Sequence, residues 1–545
     1  MAATQENIAQ ADQASTDQFD AIVIGAGISG MYLIYRLREL GLSVRVYEAG
    51  GEVGGTWYWN RYPGCRFDSE SVSYGYSFSD ELLQEWDWNE HYAGQPETQR
   101  YLEFVADKFD FRRDIEFNTR IKAATYDEDR NLWEIETEQG KHARAQFLIT
   151  AVGVLSEPYT PKFEGLDTFE GDSWHTGWWP HEPVDMSDKR VGVIGTGATA
   201  VQLITEVAKN VGRLHVFQTQ PEYCVPLHNS PIEAEEMREV KAHYPELFQR
   251  CRETYAAFDH RFDERSALDV SPEEREAFYE ELYAKPGFSL WLGNFHDIFT
   301  NRKANDTISE FVRKKIRERI NDPVLAEKLV PTDHGFGTKR VPMESGYYEV
   351  YNQDNVELID LKESPIERMT PKGIKTGNAE YELDIIIFAT GFDAVTGALN
   401  RIDIRGQGGQ ALKDKWAQGP LTYLGLQSAG FPNLFTVVGP NNGATFCNIP
   451  RCIEQNVEWV TDCIRYMREH EFARISTTPE AEDKWTEHVY ETVNATLLPQ
   501  TPTWFFGANV PGKQRVFLLY AGGHPLYRQK CDEVAAKGYE GFVLE

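Results

Sequence analysis

Two short glycine-rich segments carry the chemistry that reads most directly from this chain. The first is Gly25-Ala26-Gly27-Ile28-Ser29-Gly30, immediately after the apolar run Ala21 to Ile24. The second is Gly195-Thr196-Gly197-Ala198-Thr199-Ala200, after Val191 to Ile194. In each, the first glycine makes a tight turn and the second lets the backbone approach a pyrophosphate. A small third residue lets helix and strand pack closely. The helix opened by each segment turns free N–H groups and the positive end of its dipole toward the phosphates. One such fingerprint is weak evidence. Two of them, each closing a strand and opening a helix, point to two dinucleotides on one polypeptide and to electrons passing between them.

The residues beyond each fingerprint distinguish the two ligands. After the first, the strand Ser43 to Tyr47 ends in Glu48, 18 residues beyond Gly30. A carboxylate there accepts hydrogen bonds from a ribose with free hydroxyls, as in FAD or NAD. After the second, the strand ends in Val216-Phe217-Gln218 and no carboxylate closes it. An acid at that point would repel a 2′-phosphate, so its absence permits NADP.

These sites need elements to hold them. Residues 19 to 157 read as a first α/β unit, closing on the buried strand Phe147 to Val152 and Gly153. Within it, Gly54-Gly55-Thr56-Trp57-Tyr58-Trp59 suits a loop lying against a flat ring, with Gly55, Thr56 and Trp57 as contacts. The second unit comprises 158–225 and 336–384. Between its halves, residues 226–335 place charged and aromatic residues at helical spacing, as in Glu273 to Lys285 and Ile308 to Ile320, and read as a helical insertion. Tyr381 to Phe388 reads as one strand. It leads into Ala389-Thr390-Gly391-Phe392-Asp393, and the first unit resumes over 385–545. The fold class expected is therefore α/β: two Rossmann-like dinucleotide-binding domains, the first split, with a helical insertion.

Composition removes several classes. The chain has 85 acidic and 55 basic residues, a formal charge of −30, which argues against nucleic acid or an anionic membrane as partner. No apolar run reaches the ~20 residues that span a bilayer. The first 18 residues are polar and read as a disordered tail, not a signal peptide, so a cytoplasmic location is expected. Seven cysteines suit reduced thiols. Cys447 and Cys452 show the C-x4-C spacing of the redox-active pair in flavin disulfide reductases, but there the pair closely follows the first fingerprint; here it lies near the other end, and the two read as packing thiols. No His/Cys cluster has metal-ligand spacing, so no metal is expected.

A third motif lies just ahead of the second fingerprint. The segment from Phe169 through Gly171, His175, Thr176, Trp179 and Pro180 fits the pattern FxGxxxHTxxWP. It resembles the signature of type I Baeyer–Villiger monooxygenases, in the branch that acts on phenylacetone, steroids and cyclohexanone. The resemblance covers nearly the whole chain after the tail. It implies FAD in the first unit and NADPH in the second. The reaction it implies inserts one atom of O2 beside a ketone carbonyl to give an ester or lactone, through a C4a-peroxyflavin. Related monooxygenases that oxidise amines and sulfides carry a similar stretch with a different aromatic ending. Heteroatom oxidation is accordingly the alternative activity. A monomer or weak homodimer is expected.

By the same resemblance, Gly337-Thr338-Lys339-Arg340 places the active-site cation on Arg340. Tyr62-Pro63-Gly64-Cys65-Arg66-Phe67-Asp68 supplies its partner carboxylate, Asp68. Trp504 lies near the nicotinamide coenzyme, His175 supports domain geometry, and the loop Ala444-Thr445-Phe446 lines the substrate pocket. Gly195, Gly197, Thr199, Gln218, Thr219, Lys339 and Trp504 form the second dinucleotide site, and Asp68 and Arg340 are expected to contact cofactor as well. One departure stands out: the family carries Gln-Arg where this chain has Gln218-Thr219. The arginine that would hold a 2′-phosphate is missing, and Lys339 remains as the second phosphate contact.

Overall fold

The computed structural model describes residues 17–443 and 447–545. Two sheets organise the chain. In chain order their strands are β1 (Asp17–Ile24), β2 (Val44–Tyr47), β3 (Ile115–Glu116), β4 (Ile121–Asp127), β5 (Leu132–Thr137) and β6 (His142–Thr150). They continue as β7 (Asp172–His175), β8 (Arg190–Ile194), β9 (Arg213–Gln218), β10 (Val356–Asp360), β11 (Ile385–Phe388), β12 (Asp403–Arg405) and β13 (Leu434–Thr436). The first sheet runs β12-β4-β5-β6-β1-β2-β3, with β13 also paired to β6. Its β6-β1-β2-β3 part is parallel, while β4, β5 and β6 form an antiparallel meander. The second sheet, β10-β9-β8-β11-β7, is parallel throughout. The strands at the centre of both are buried apolar runs, as a parallel sheet covered on two faces requires.

Each fingerprint sits where expected: Gly25 and Gly195 come directly after β1 and β8, and helices α1 (Ile28–Glu39) and α2 (Ala198–Val207) start immediately after. Gly25 and Gly195 have φ of 105° and 110°, values that L side chains rarely adopt. A Cβ on Gly30 would lie 1.9 Å from the Gly25 carbonyl oxygen. Helix and turn are therefore in backbone contact. Around Gly197 nothing lies within 4 Å of such an atom. That glycine leaves open space where the other closes a joint.

Two segments join the units. The chain leaves β6 through Ala151 to Tyr159 and returns through Ala389 to Val395. The two segments run side by side: Tyr159 N–H donates to the Gly391 carbonyl at 2.9 Å and Asp393 N–H to that of Glu157 at 2.8 Å. The 226–335 segment carries five helices of seven residues or more, with α3 (Arg302–Arg319) the longest. Asn301 caps α3, and Ala304, Ile308, Phe311, Val312 and Ile316 bury one stripe. The longest helix among the described residues, α4 (Ile449–Glu469), packs on α1, where Arg36 Nη2 bonds Asp462 Oδ1 at 3.1 Å.

Four expectations need correction. Asp17 and Gln18, assigned to the tail, belong to β1 and pair with Ala143 and Arg144; the rest of the tail to residue 16 lies outside the described residues. The stretch Tyr381 to Phe388 is not one strand. Glu380–Glu382 joins a small antiparallel sheet and Ile385–Phe388 is β11, because Asp384 turns aside to take Arg190 Nη2 at 2.8 Å. β11 also lies in the second sheet, so the return crossing falls after Phe388, not at 385. Finally, Cys447 and Cys452 are joined as a disulfide rather than packed as two thiols. Asn448 caps α4, and the first turn of that helix brings Cys452 back over Cys447. The other five cysteines are free and buried.

Gly30→Ala forces a backbone shift and is expected to cost at least about 2 kcal/mol in denaturant unfolding. Gly197→Ala is expected to unfold like the parent while weakening nicotinamide coenzyme binding in calorimetry. Equal effects of the two substitutions on stability would contradict this reading of the turns.

Candidate functional site

A cavity of about 410 Å³ opens at the end of β1. Its walls include Gly25, Gly27, Glu48, Gly55, Thr56 and Trp57, all expected at a dinucleotide. Gly27 caps α1 without a side-chain acceptor, so the first N–H groups of that helix are left for a ligand. Gly27 and Gly55 touch: a Cβ on Gly55 would stand 2.9 Å from the Gly27 Cα. Glu48 is buried, and its carboxylate accepts from Ala26 N–H at 2.7 Å and Gly50 N–H at 2.6 Å. Burial raises its pKa, and the two backbone bonds pull it back. Trp57 donates from Nε1 to the Tyr74 hydroxyl at 3.1 Å and stands edge-on to Phe67 and Tyr74. Glycines without Cβ atoms, an uncapped helix end and a fixed carboxylate fit an FAD.

The second site repeats this plan. Gly197 caps α2 without a side-chain acceptor, and Thr199 lies half-buried in its first turn. The Thr196 hydroxyl donates to the Gln220 carbonyl at 2.6 Å, tying the turn to the loop after β9. Gln218 is buried, with Nε2 on the Lys328 carbonyl at 2.7 Å, and Thr219 is exposed. Lys339 reaches the same loop: Nζ is 2.8 Å from Gln220 Oε1 and 3.4 Å from Glu222 Oε1. Burial pushes the Glu222 carboxyl up to about 7 despite the ammonium beside it. His334 Nε2 stands 3.6 Å from its other oxygen, and His334 Nδ1 is 2.7 Å from Asp333.

Arg340, next in the chain, turns to the opposite partner. Its Nη1 lies 2.7 Å from Asp68 Oδ2, whose side chain is 2% exposed against 30% for the arginine. Asp68 also accepts from Gln202 Nε2 and Met343 N–H, each at 3.3 Å. The guanidinium covers the Phe288 ring at 5.4 Å. Neither Asp68 nor Arg340 lines the cavity itself. The link to it is Phe67, which stacks on Tyr74 at 4.1 Å and meets Trp57 edge-on. Trp504 lies in the short 3-10 turn Trp504–Phe506, packed on Phe505 at 4.6 Å. The Thr501 hydroxyl just before it bonds Thr338 at 2.8 Å, which sets this stretch against the Lys339–Arg340 segment.

The third motif forms the edge of the second sheet. β7 ends at His175, which pairs with Phe388 of β11. His175 Nδ1 accepts from Gly177 N–H at 2.9 Å, and its ring stands edge-on to Phe392 in the return crossing. Burial holds its pKa down to about 4, so it is neutral. Thr176 and Trp179 are buried, Pro180 is partly covered, and Gly171 leaves room for the Phe169 ring and the Asp384 carbonyl. The loop Ala444-Thr445-Phe446 lies outside the described residues. Among the described residues no acidic, cysteine and histidine cluster could hold a metal, and no helix is long and apolar enough to cross a membrane.

Sequence reasoning missed Glu222. It lies 22 residues beyond Ala200, close to the spacing at which a carboxylate meets an adenosine ribose. Attention to the strand end alone passed over it. Gln202 and Met343, which hold Asp68, left no signal, since each acts through a contact formed only by folding.

Two dinucleotide units joined by a double crossing define a flavin- and nicotinamide-linked oxidoreductase. Residues 22–266 match the pyridine nucleotide-disulphide oxidoreductase family. The chain is 48% identical over 542 residues to the 2-oxo-Delta(3)-4,5,5-trimethylcyclopentenylacetyl-CoA monooxygenase of Pseudomonas putida, covering 98% of this chain and 99% of that one. It is 42% identical to cyclohexanone 1,2-monooxygenase of an Acinetobacter species, over 97% of each chain. A crystal structure of OTEMO in complex with FAD and NADP superposes with a TM-score of 0.95 at 48% identity, over 97% of this chain and 100% of that one. The chain belongs to the type I Baeyer–Villiger monooxygenase family, whose members are FAD- and NADPH-dependent.

Asp68→Asn keeps the side-chain shape and removes the charge facing Arg340. With the arginine partly exposed, the expected loss is about 1–3 kcal/mol in urea unfolding, with FAD content unchanged. An unaltered unfolding curve would show that the pair contributes nothing to the fold.

Proposed function

We propose that this chain converts a ketone, O2, NADPH and a proton into an ester or lactone, NADP⁺ and water, with Arg340 as the cation of the reacting site. FAD held at Gly25 to Gly30, Glu48 and Trp57 supplies the flavin chemistry that activates O2, and NADPH held at Gly195 to Ala200 supplies the hydride. The chain's own residues provide position and field. The guanidinium of Arg340 stabilises negative charge developing on oxygen.

The observation that carries this assignment is the asymmetry of the ion pair. Asp68 is buried and held from three sides, while Arg340 keeps part of its surface open. Among the described residues both bonds from the guanidinium leave Nη1, to Asp68 and to the Val341 carbonyl. An anchored cation with free donors suits an anion that forms only during reaction. Asp68 offsets the cost of bringing that cation out of water. The neutral His175 at the crossing serves geometry and not proton transfer.

Arg340→Ala is expected to lower ester formation from a ketone panel by roughly 100- to 1000-fold, with products read by mass. Reduction of bound FAD by NADPH under anaerobic conditions should persist. Undiminished ester formation by that variant would remove Arg340 from the mechanism.

A further inference from the structure

The second dinucleotide unit holds a carboxylate, Glu222, beside Lys339, the residue expected to contact a phosphate. Lys339 is the cation reaching the loop after β9, and it is already engaged: its Nζ lies 2.8 Å from Gln220 Oε1 and 3.4 Å from Glu222 Oε1. The side chains of Glu222 and Lys339 are 17% and 12% exposed, so little water screens the pair. Neighbouring groups add no surplus positive charge. His334 faces Glu222, and burial lowers its pKa, which favours the neutral ring. The Asp333 carboxylate behind it is held down to about 2 by its bond to that histidine. Lys362 pairs with Asp333 at 3.7 Å and Lys328 with Glu363 at 2.6 Å. Arg313 donates to the Pro331 carbonyl and sits over the Tyr223 ring. The exposed Thr219, at the strand end, brings a hydroxyl and no charge.

The placement makes this a matter of coenzyme choice. In a doubly wound unit the 2′ position of the adenosine ribose faces the loop after the second strand. Here that loop is Gln218 to Glu222, fastened to the fingerprint turn by the Thr196–Gln220 bond of 2.6 Å. A 2′-phosphate entering there must take Lys339 from Glu222, whose buried carboxyl is pushed up to about 7 even with that ammonium beside it. Without the lysine the carboxyl either stays charged against a dianion or must take up a proton, and both oppose the phosphate. A free 2′-hydroxyl asks for none of this. It donates its proton to Glu222 or Gln220 and leaves the Lys339 pair intact.

We propose that Glu222 sets the coenzyme selectivity of this enzyme, withholding Lys339 from the 2′-phosphate so that NADH serves as a second hydride donor beside NADPH. This rests on the proposed function, since it concerns the donor to the same flavin. The family's coenzyme is NADPH, and NADH joins it here rather than replacing it.

The test has two arms, both on the FAD-loaded full chain. In the first, anaerobic flavin reduction is followed with NADPH and NADH. The parent should show kcat/KM values within about tenfold of each other. Glu222→Gln should raise the NADPH-to-NADH ratio by about tenfold or more, the scale of one charge-assisted bond. Thr219→Arg, at an exposed position, should raise it in the same direction and guards against a folding defect in the first variant. In the second arm, calorimetry compares adenosine 2′,5′-bisphosphate with adenosine 5′-monophosphate. The parent should bind them with Kd values within about tenfold, and Glu222→Gln should tighten only the bisphosphate. A parent that prefers the bisphosphate by more than about 100-fold, or a Glu222→Gln variant that shifts both ligands equally, overturns the inference. Failure of both coenzymes to reduce the flavin would sink the proposed function instead, and the calorimetric arm would still decide this one.

Discussion

Close backbone contact at two turns governs the rest of the molecule. Gly25 and Gly195 each end a central strand, and each is pressed by a crossing segment. A Cβ would stand 2.6 Å from the Ala151 carbonyl oxygen at the first and 2.4 Å from that of Ala389 at the second. Ala151 and Ala389 begin the two crossings, which are hydrogen-bonded to one another through Tyr159–Gly391 and Asp393–Glu157. The constraint that shapes each phosphate-binding turn thus also fixes how the two units face. A flavin and a nicotinamide must meet at a set distance for hydride to pass. The fold joins the two units there through backbone atoms, which lack the rotamer freedom of side chains. His175 adds to the same joint. Its neutral ring packs on Phe392 of the return crossing while Nδ1 holds the turn after β7.

Much of this was legible in the sequence because it is local. A strand, a glycine turn and a helix succeed one another within about a dozen residues, and their spacing is set by covalent geometry. Both fingerprints, Glu48 and the periodic stripe of α3 are of this kind. Tyr381 to Phe388 misled for a complementary reason. Its apolar run continues, yet Asp384 leaves the strand for Arg190, a residue 194 positions earlier. The disulfide at Cys447 and Cys452 depends on where α4 begins, and composition across the chain says nothing about a single helix start.

Beyond Arg340, which the resemblance nominates, the polar frame around Asp68 was not legible. Asp68 belongs to the first unit, Gln202 to α2, and Met343 and Arg340 to the segment after the helical insertion. Only the folded chain gathers them. A carboxylate buried this deeply is stable only when its lone pairs are met, and two separate stretches of chain, both remote from Asp68 in sequence, supply the donors. The pair therefore works as a lock between units as well as a mount for the cation. A family resemblance could nominate Asp68 and Arg340, and the contacts show what holds them.

Lys339 and Arg340 place two cations on consecutive residues and send them to opposite anions. One meets Glu222 in the second unit, the other Asp68 in the first. Their segment is short and tightly seated. Gly337 has φ of 75° with Phe299 and Trp291 packed against it, and Thr338 is bonded to both the Gly335 carbonyl and Thr501. Such a segment has little room to move one side chain's anchor without moving the other's. Glu222 and Asp68, anions of two different units, are thus held by adjacent residues of one short stretch, so the two contacts are joined covalently through its backbone.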